Sequence, residues 1–215
     1  SDVNFIPNSP FVQINFDKNN VIVNSTDGTI LFNSAEMGYV IYTTSFIPST
    51  KELLILGQKD GNIEFVNYSL TNKKINWLSN VGNVDTIGEI FGNYFKSLLK
   101  NDISVAENKV IVDNGMIYAG IKNLLFALDA TSGNVKWKTN YPINNFHING
   151  KGDHLITILN SGSILSTKQK LNILNASTGE RVWKDDITTK YISYLEDHGD
   201  KVLIAHQSGF NFYEY

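Results

Sequence analysis

The chain contains no cysteine among its 215 residues, which excludes disulfides, thiolate zinc sites, cysteine nucleophiles and a lipidated cysteine within it. Proline is scarce, at four residues. No apolar run approaches the roughly 18 residues that a membrane-spanning helix requires. An excess of one charge is also missing: 18 Lys and Arg stand against 21 Asp and Glu, a formal net charge of -3, with no basic cluster of the kind that tracks a phosphate backbone. Nucleic acid is disfavoured as a partner, and 42% hydrophobic residues suffice for the core of a soluble globular chain. The sequence starts at Ser1 with no signal peptide, which is expected of a processed or truncated product.

What is present is β punctuation. Asn, Gly, Ser and Thr separate short alternating apolar runs, so an all-β chain is expected. "NLLFALDATSGNVKW" and "KLNILNASTGERVW" share the frame Ser/Thr-Gly-x-x-x-Trp, with Gly133 before Trp137 and Gly179 before Trp183. Two degenerate copies precede them. In "GNIEFVNYSLTNKKINW", Asn72 takes the glycine slot ahead of Trp77, and in "GTILFNSAEMGYVIY", Gly38 is followed four residues later by Tyr42. A further strand lies upstream of each turn, and the fifth copy begins at "VLIAH".

Copies recurring at about 40 residues with several strands each predict a β-propeller of four-stranded antiparallel blades. About five repeats are present, so residues 1–215 are expected to form a single propeller domain or the C-terminal portion of one, as part of a larger ring. One complete blade is expected from Asn145–Asn149, His154–Leu159, Leu171–Asn175 and Arg181–Asp185. Gly or Asn at the turn would supply a positive φ. Small Ala130 and Ala176 would let a neighbouring strand approach, and Trp77, Trp137 and Trp183 would be buried as spacers between blades. The last blade lacks a fourth strand after Tyr213; in a closed ring Asn4–Ile6 or Phe11–Ile14 would fill that place.

"ALDATSGNVKW" and "NILNASTGERVW" resemble the A-x-D-x-x-T-G-x-x-x-W repeat of quinoprotein-type propellers, with Asn175 replacing the Asp in the second. Residues 98–148 look most like the B component of the bacterial outer-membrane β-barrel assembly machinery, a periplasmic propeller of eight blades. That resemblance implies a non-enzymatic protein-binding scaffold, lipoprotein-like, in the periplasm or cell envelope, with a barrel-assembly component or a nascent outer-membrane protein as partner. A fragment of a quinoprotein dehydrogenase, or a structural propeller module of a larger envelope or lumenal protein, are the alternatives. Five copies fall short of eight blades.

Two insertions depart from the repeat. In "DTIGEIFGNYFKSLLKND" the residues Ile87, Ile90, Phe91, Tyr94, Phe95, Leu98 and Leu99 form an apolar stripe at helical period, which predicts one short helix; it either packs on its own propeller or docks a partner. "SGSILSTKQKL" lengthens the link between two strands of the fourth copy and carries Lys168 and Lys170, as a longer loop or as a hairpin able to pair with a partner's sheet edge.

Catalytic signatures are missing. No G-x-S-x-G, P-loop or dinucleotide fingerprint occurs, and His147, His154, His198 and His206 stand singly. Asp153 and His154, and Asp197, His198 and Asp200, fall in turns where such residues commonly face water. Asp185 and Asp186 are chain neighbours that a strand would point to opposite faces. No catalytic, cofactor or metal site is assigned. Three glycosylation triplets, at Asn24, Asn67 and Asn175, are expected by chance in an Asn-rich chain.

Overall fold

The computed structural model describes residues 2–7, 9–16, 19–83, 105–121, 124–139, 145–149, 151–163, 166–183, 192–199, 201–206 and 209–214. The chain divides into two compact units, Ser1–Asp102 and Ile103–Tyr215. In the first, β1 (Asp2–Phe5), β2 (Phe11–Phe16), β3 (Asn19–Asn24) and β4 (Ile30–Asn33) form one antiparallel sheet. A four-residue helix, α1 (Ser34–Met37), leads to a second sheet of β5 (Val40–Ile47), β6 (Glu52–Lys59), β7 (Asn62–Ser69) and β8 (Lys74–Asn83). The other unit holds β9 (Val105–Asp113), β10 (Met116–Ile121), β11 (Leu124–Asp129) and β12 (Val135–Thr139) as its first sheet. Its second sheet is β13 (Asn145–Ile148), β14 (His154–Ser163), β15 (Ser166–Asn175) and β16 (Arg181–Trp183), the blade expected there. Three strands, β17 (Ile192–Asp197), β18 (Lys201–His206) and β19 (Gly209–Glu214), complete the described chain.

Each four-stranded sheet is an up-and-down meander, and one turn recurs between its third and fourth strands. Asn24, Ser69, Asp129 and Asn175 each end a third strand. Four residues later the backbone is left-handed, at Gly28 (φ 72), Lys73 (φ 51), Gly133 (φ 73) and Gly179 (φ 72). Another four residues on stands a large aromatic: Phe32, Trp77, Trp137 or Trp183. This corrects the sequence frame at two places. Gly38 is the C-cap of α1, so the first-blade aromatic is Phe32 and not Tyr42. Lys73, not Asn72, adopts the positive φ, which a non-glycine residue tolerates at a cost of roughly 1–2 kcal/mol.

The aromatics share a register because the same irregularity precedes each turn. Pairing slips by one residue at Val23, Tyr68, Leu128 and Leu174, so that Phe32 faces Ile22, Trp77 faces Asn67, Trp137 faces Ala127 and Trp183 faces Ile173. Such a bulge re-aims a side chain without ending the sheet. The residue after each cap also ties the third turn to the first: Ser25, Leu70, Ala130 and Ala176 donate their N–H to the carbonyls of Pro10, Lys51, Gly115 and Asp153 at 2.8–3.1 Å. Leu70 serves here as well as Ala176, so a small residue is not required for that link.

Trp137 is buried in the way expected. Its indole N–H donates to the Ala176 carbonyl at 2.9 Å, in the turn of the following blade. The ring lies where a Cβ on Gly179 would fall, 2.5 Å from Trp137 Cδ2. Trp77 and Trp183 are only half-buried, against expectation, and the reasons differ. The cross-strand neighbour of Trp77 is Asn67, held in a polar network with Glu52 and Asn76. Trp183 meets Tyr213 edge-on at 5.7 Å, and no following turn with a glycine is described there to receive it. The early segments expected to close a ring also behave differently, since β1 and β2 pair with each other in the first sheet.

Trp137→Ala should lower unfolding stability by about 3–5 kcal/mol, as for a large aromatic lost from a core, whereas Trp183→Ala should cost less than half of that in the same denaturant titration. Gly28→Ala and Gly179→Ala share a left-handed backbone, but nothing lies within 4 Å of a Cβ at Gly28. Gly179→Ala should therefore be clearly the more destabilising; equal losses would show that the indole does not rest on that glycine.

Candidate interaction surface

Among the described residues, the fourth blade carries the largest departure from the meander. Strands β14 and β15 pair continuously from His154↔Asn175 out to Ser163↔Ser166. Among the described residues, β13 pairs with Leu155–Ile158 and β16 pairs with Ile173 and Leu174. Beyond Leu159↔Lys170 the hairpin is thus a two-stranded ribbon that no third described strand joins. Of the two forms open for this insertion, the chain adopts the extended hairpin. Lys168 and Lys170 lie on β15 within it. Ile87, Ile90, Phe91, Tyr94 and Phe95, with the helix expected for them, lie outside the described residues.

Polar side chains elsewhere are engaged in local structure. The Asp129 carboxylate accepts from the Thr131 and Ser132 N–H groups at 3.1 and 2.9 Å and from the Ser132 hydroxyl at 3.0 Å, with Lys136 Nζ at 3.3 Å. Those donors, Ser132 first, hold its pKa down at about 2. Asn175 occupies the same slot one blade later and accepts from Ser177 and Thr178 in the same way. Asp153 accepts from the Asn149 side-chain amide at 2.6 Å and contacts His154 Nδ1 at 2.8 Å, and its pKa is lowered chiefly by the Asn149 bond. These are turn fastenings.

Two tyrosines, the buried Tyr39 and the half-buried Tyr42, belong to the second blade and its approach. Tyr39 donates to the Glu64 carboxylate with Lys59 Nζ 5.3 Å above its ring, and burial, then that hydrogen bond, push its pKa upward. Tyr42 donates to Gln58, and burial raises it to about 12. Among the described residues no three His, Cys, Asp or Glu side chains gather in a way that would hold a metal ion, and no helix is long and apolar enough to cross a membrane. The glycosylation triplets have structural employment: Asn24 and Asn175 cap turns and Asn67 is buried.

The fold finds counterparts in solved structures. BamB from Moraxella catarrhalis superimposes with a TM-score of 0.58 at 15% identity, over 96% of this chain and 59% of that one. The chain is a β-propeller with a BamB-like fold. The β-propeller domain of Myceliophteria thermophila Cps50 (Swd1) follows, with a TM-score of 0.52 at 15% identity over 99% of this chain and 63% of that one. Kuenenia stuttgartiensis hydrazine synthase gives a TM-score of 0.52 at 14% identity over 95% and 54%. This propeller thus spans less than two thirds of the length of each of these structures. The sequence matches no protein-family model and no curated protein.

The first-blade aromatic was missed from sequence, although "NSTDGTILF" holds the cap, the glycine and Phe32 at the correct spacing.

The Asp129 turn has a pH signature. Its folded pKa lies below the ordinary value of about 4, so its contribution to stability is present above pH ~4 and is lost as pH falls toward about 2. Asp129→Asn should keep the turn, as Asn175 does, and remove that dependence. A carboxyl titration midpoint near 4 by NMR would show that the turn does not hold the carboxylate.

Proposed function

We propose that this propeller is a non-catalytic protein-interaction scaffold of the cell envelope, acting in outer-membrane β-barrel assembly. The observation that carries the proposal is the β14–β15 ribbon, which leaves its blade with both edges unjoined among the described strands. A ribbon of this kind offers backbone N–H and C=O groups to an incoming strand, with the partner's side chains read at alternate positions. A component rich in exposed strand edges, such as a periplasmic domain of the assembly machinery or a nascent barrel strand, fits that offer. The repeat at Ala127–Trp137 resembles the barrel-assembly scaffold, and the fold agrees with BamB, which supports the same reading.

The engagement of described carboxylates in turn fastenings also favours a scaffold over an enzyme, because a quinone-caging site needs charged side chains free to converge on a cofactor. The apolar stripe containing Ile87, Ile90, Phe91, Tyr94 and Phe95 is proposed as a second contact for the same partner. Periplasmic or envelope placement follows from the partner class.

Isothermal titration against the soluble periplasmic domains of the barrel-assembly component from the same organism tests this. Replacing residues 160–169 with a two-residue Asn-Gly turn should weaken binding at least tenfold while leaving the thermal transition of the blade core in place. Phe91→Ser combined with Phe95→Ser should cost about 2 kcal/mol of binding, the scale of an interface hot spot. Absence of binding by the unaltered chain, or unfolding by the double substitution without a separable binding defect, would defeat the respective contact.

A further inference from the structure

Two junctions between blades of the second unit are apolar at the same register. On the β9–β12 sheet Tyr118, Leu125 and Ala127 pack against Phe146, Leu155 and Leu174 of the next sheet. On the β13–β16 sheet Ile156, Ile158 and Leu171 pack against Ile192, Val202 and Ile204, with Leu195 beside them. Aligning the sheets on their caps, where Met116 pairs with Asp129 and His154 with Asn175, puts Tyr118 level with Ile156 and Leu125 level with Leu171. From the facing sheets, Phe146 pairs with Thr157 as Leu195 pairs with Ile204, so these two share one position as well.

The junction within the first unit keeps one end of that pattern and changes the other. Phe11, Ile22 and Phe32 of the β1–β4 sheet pack against Leu53, Ile55 and Tyr68 of the β5–β8 sheet, as in the second unit. Phe11 pairs with Asn24 as Met116 pairs with Asp129. Gln13 therefore stands where Tyr118 and Ile156 stand, Asn15 where Gly120 and Ile158 stand, and Asn20 where Leu125 and Leu171 stand. The β5–β8 sheet has Phe65 at this last position. The facing side changes in step, because Thr44, paired with Ile55, takes the place of Phe146 and Leu195.

The polar replacements find one another. Gln13 Nε2 donates across the junction to Thr44 Oγ1 at 3.0 Å and along its own strand to Asn15 Oδ1 at 3.2 Å. Asn20 Nδ2 donates to Asn15 Oδ1 at 2.7 Å, and the Asn20 backbone N–H donates to the buried hydroxyl of Ser34, in α1, at 2.8 Å. The set is not arranged for greatest stability. Asn20 is 3% exposed and its Oδ1 meets no donor among the described residues, whereas Phe65, Leu125 and Leu171 are fully buried at the same place. An unmatched buried acceptor is a net loss that an apolar side chain in that position avoids.

We propose that this polar set is a key, which makes the β1–β4 sheet pack on the β5–β8 sheet in preference to any other blade of the same chain or of a second copy. Apolar burial is non-directional, so junctions built from it alone discriminate weakly between blades that share a register. Hydrogen bonds discriminate by geometry. Against a blade with Phe146 or Leu195 in the facing position, Gln13 loses its acceptor across the junction, and a mismatch of that kind is what excludes a wrong partner. A single asparagine in an apolar coiled-coil seam fixes register in the same way and likewise at some expense of stability. The key lies wholly in the first unit and does not involve the β14–β15 ribbon, so it is independent of the docking reading.

Exchanging the two sides of the junction separately and together tests the key in the full 215-residue chain. Thr44→Val removes the acceptor, and Gln13→Met, Asn15→Leu and Asn20→Leu together remove the amides. In urea titrations Thr44→Val should lower the unfolding midpoint of the unaltered chain, yet leave unchanged or raise that of the chain already carrying the other three substitutions. The four-substitution variant should unfold at a midpoint no lower than the unaltered chain. Its loss should appear in fidelity: after refolding from urea, size-exclusion chromatography should show a clearly larger share of dimeric and larger species, with exchanged blades, than the unaltered chain gives at the same concentration. An equal effect of Thr44→Val in both backgrounds overturns the proposal, and so does a four-substitution variant that refolds as cleanly as the unaltered chain. A four-substitution variant that fails to fold, or unfolds at a lower midpoint, overturns it too, because the amides would then serve stability and not selection.

Discussion

One side chain reaching into the turn of the next blade organises the second unit of this propeller. Trp137 fills that role only because three separate features coincide: a bulge at Leu128 sets its direction, Gly179 leaves a gap where a Cβ would collide with the indole, and the Ala176 carbonyl accepts its N–H. Remove any one and the others lose their purpose. The same dependence explains the neighbours. Where the cross-strand partner is Asn67, the aromatic slot holds a half-exposed Trp77, and among the described residues Trp183 meets the edge of Tyr213 instead of a glycine turn. Burial at this slot is a property of the following blade as much as of the residue, which is how a repeat protein couples adjacent units.

The turn that carries the wedge also engages polar side chains of its own blade. Each third strand ends in a residue with a short polar side chain, and Asn24, Asp129 and Asn175 use it to satisfy the N–H groups of their own turn. The residue after it ties back to the first turn of its blade. Asp153 and Glu52 are bound into similar local networks. Of the acidic groups singled out in the sequence, Asp153 is such a fastener, Asp185, Asp186 and Asp200 lie outside the described residues, and the low pKa of Asp129 is the mark of a carboxylate stabilised in its charged form by a turn.

Much of this was legible because the repeat is written twice in nearly full form. Alternation, the Gly-x-x-x-Trp spacing and the period were enough for four-stranded blades, and the fourth blade came out with its strands in the expected places. The first two copies misled for a physical reason. The slot demands a backbone conformation, not a residue type, and Lys73 adopts it beside a more plausible Asn72. Gly38 looked like a turn glycine because a helix C-cap asks for the same left-handed φ. The bulges left no trace in composition at all. The ribbon was ambiguous because "SGSILSTKQKL" has no apolar alternation from which a strand period could be read.

The propeller offers two unlike kinds of surface, and the difference bears on how each could be used. The ribbon is an edge, and its described residues beyond Leu159 are Asn, Ser, Gly, Thr, Lys and Gln. Edges flanked by lysine resist indiscriminate strand pairing, so a partner must bring a matching strand of its own. The exposed faces of the β1–β4 and β17–β19 sheets are different in kind. They carry exposed aromatic side chains, Phe5 on one and Phe210 and Phe212 on the other, the latter beside the Lys201–Glu214 ion pair and Glu196. The interior junction around Leu125 and Ala127 shows what such positions receive when another blade packs on them, whereas the β14–β15 ribbon runs longer than the β2–β3, β6–β7 and β10–β11 hairpins and so departs from the shared register.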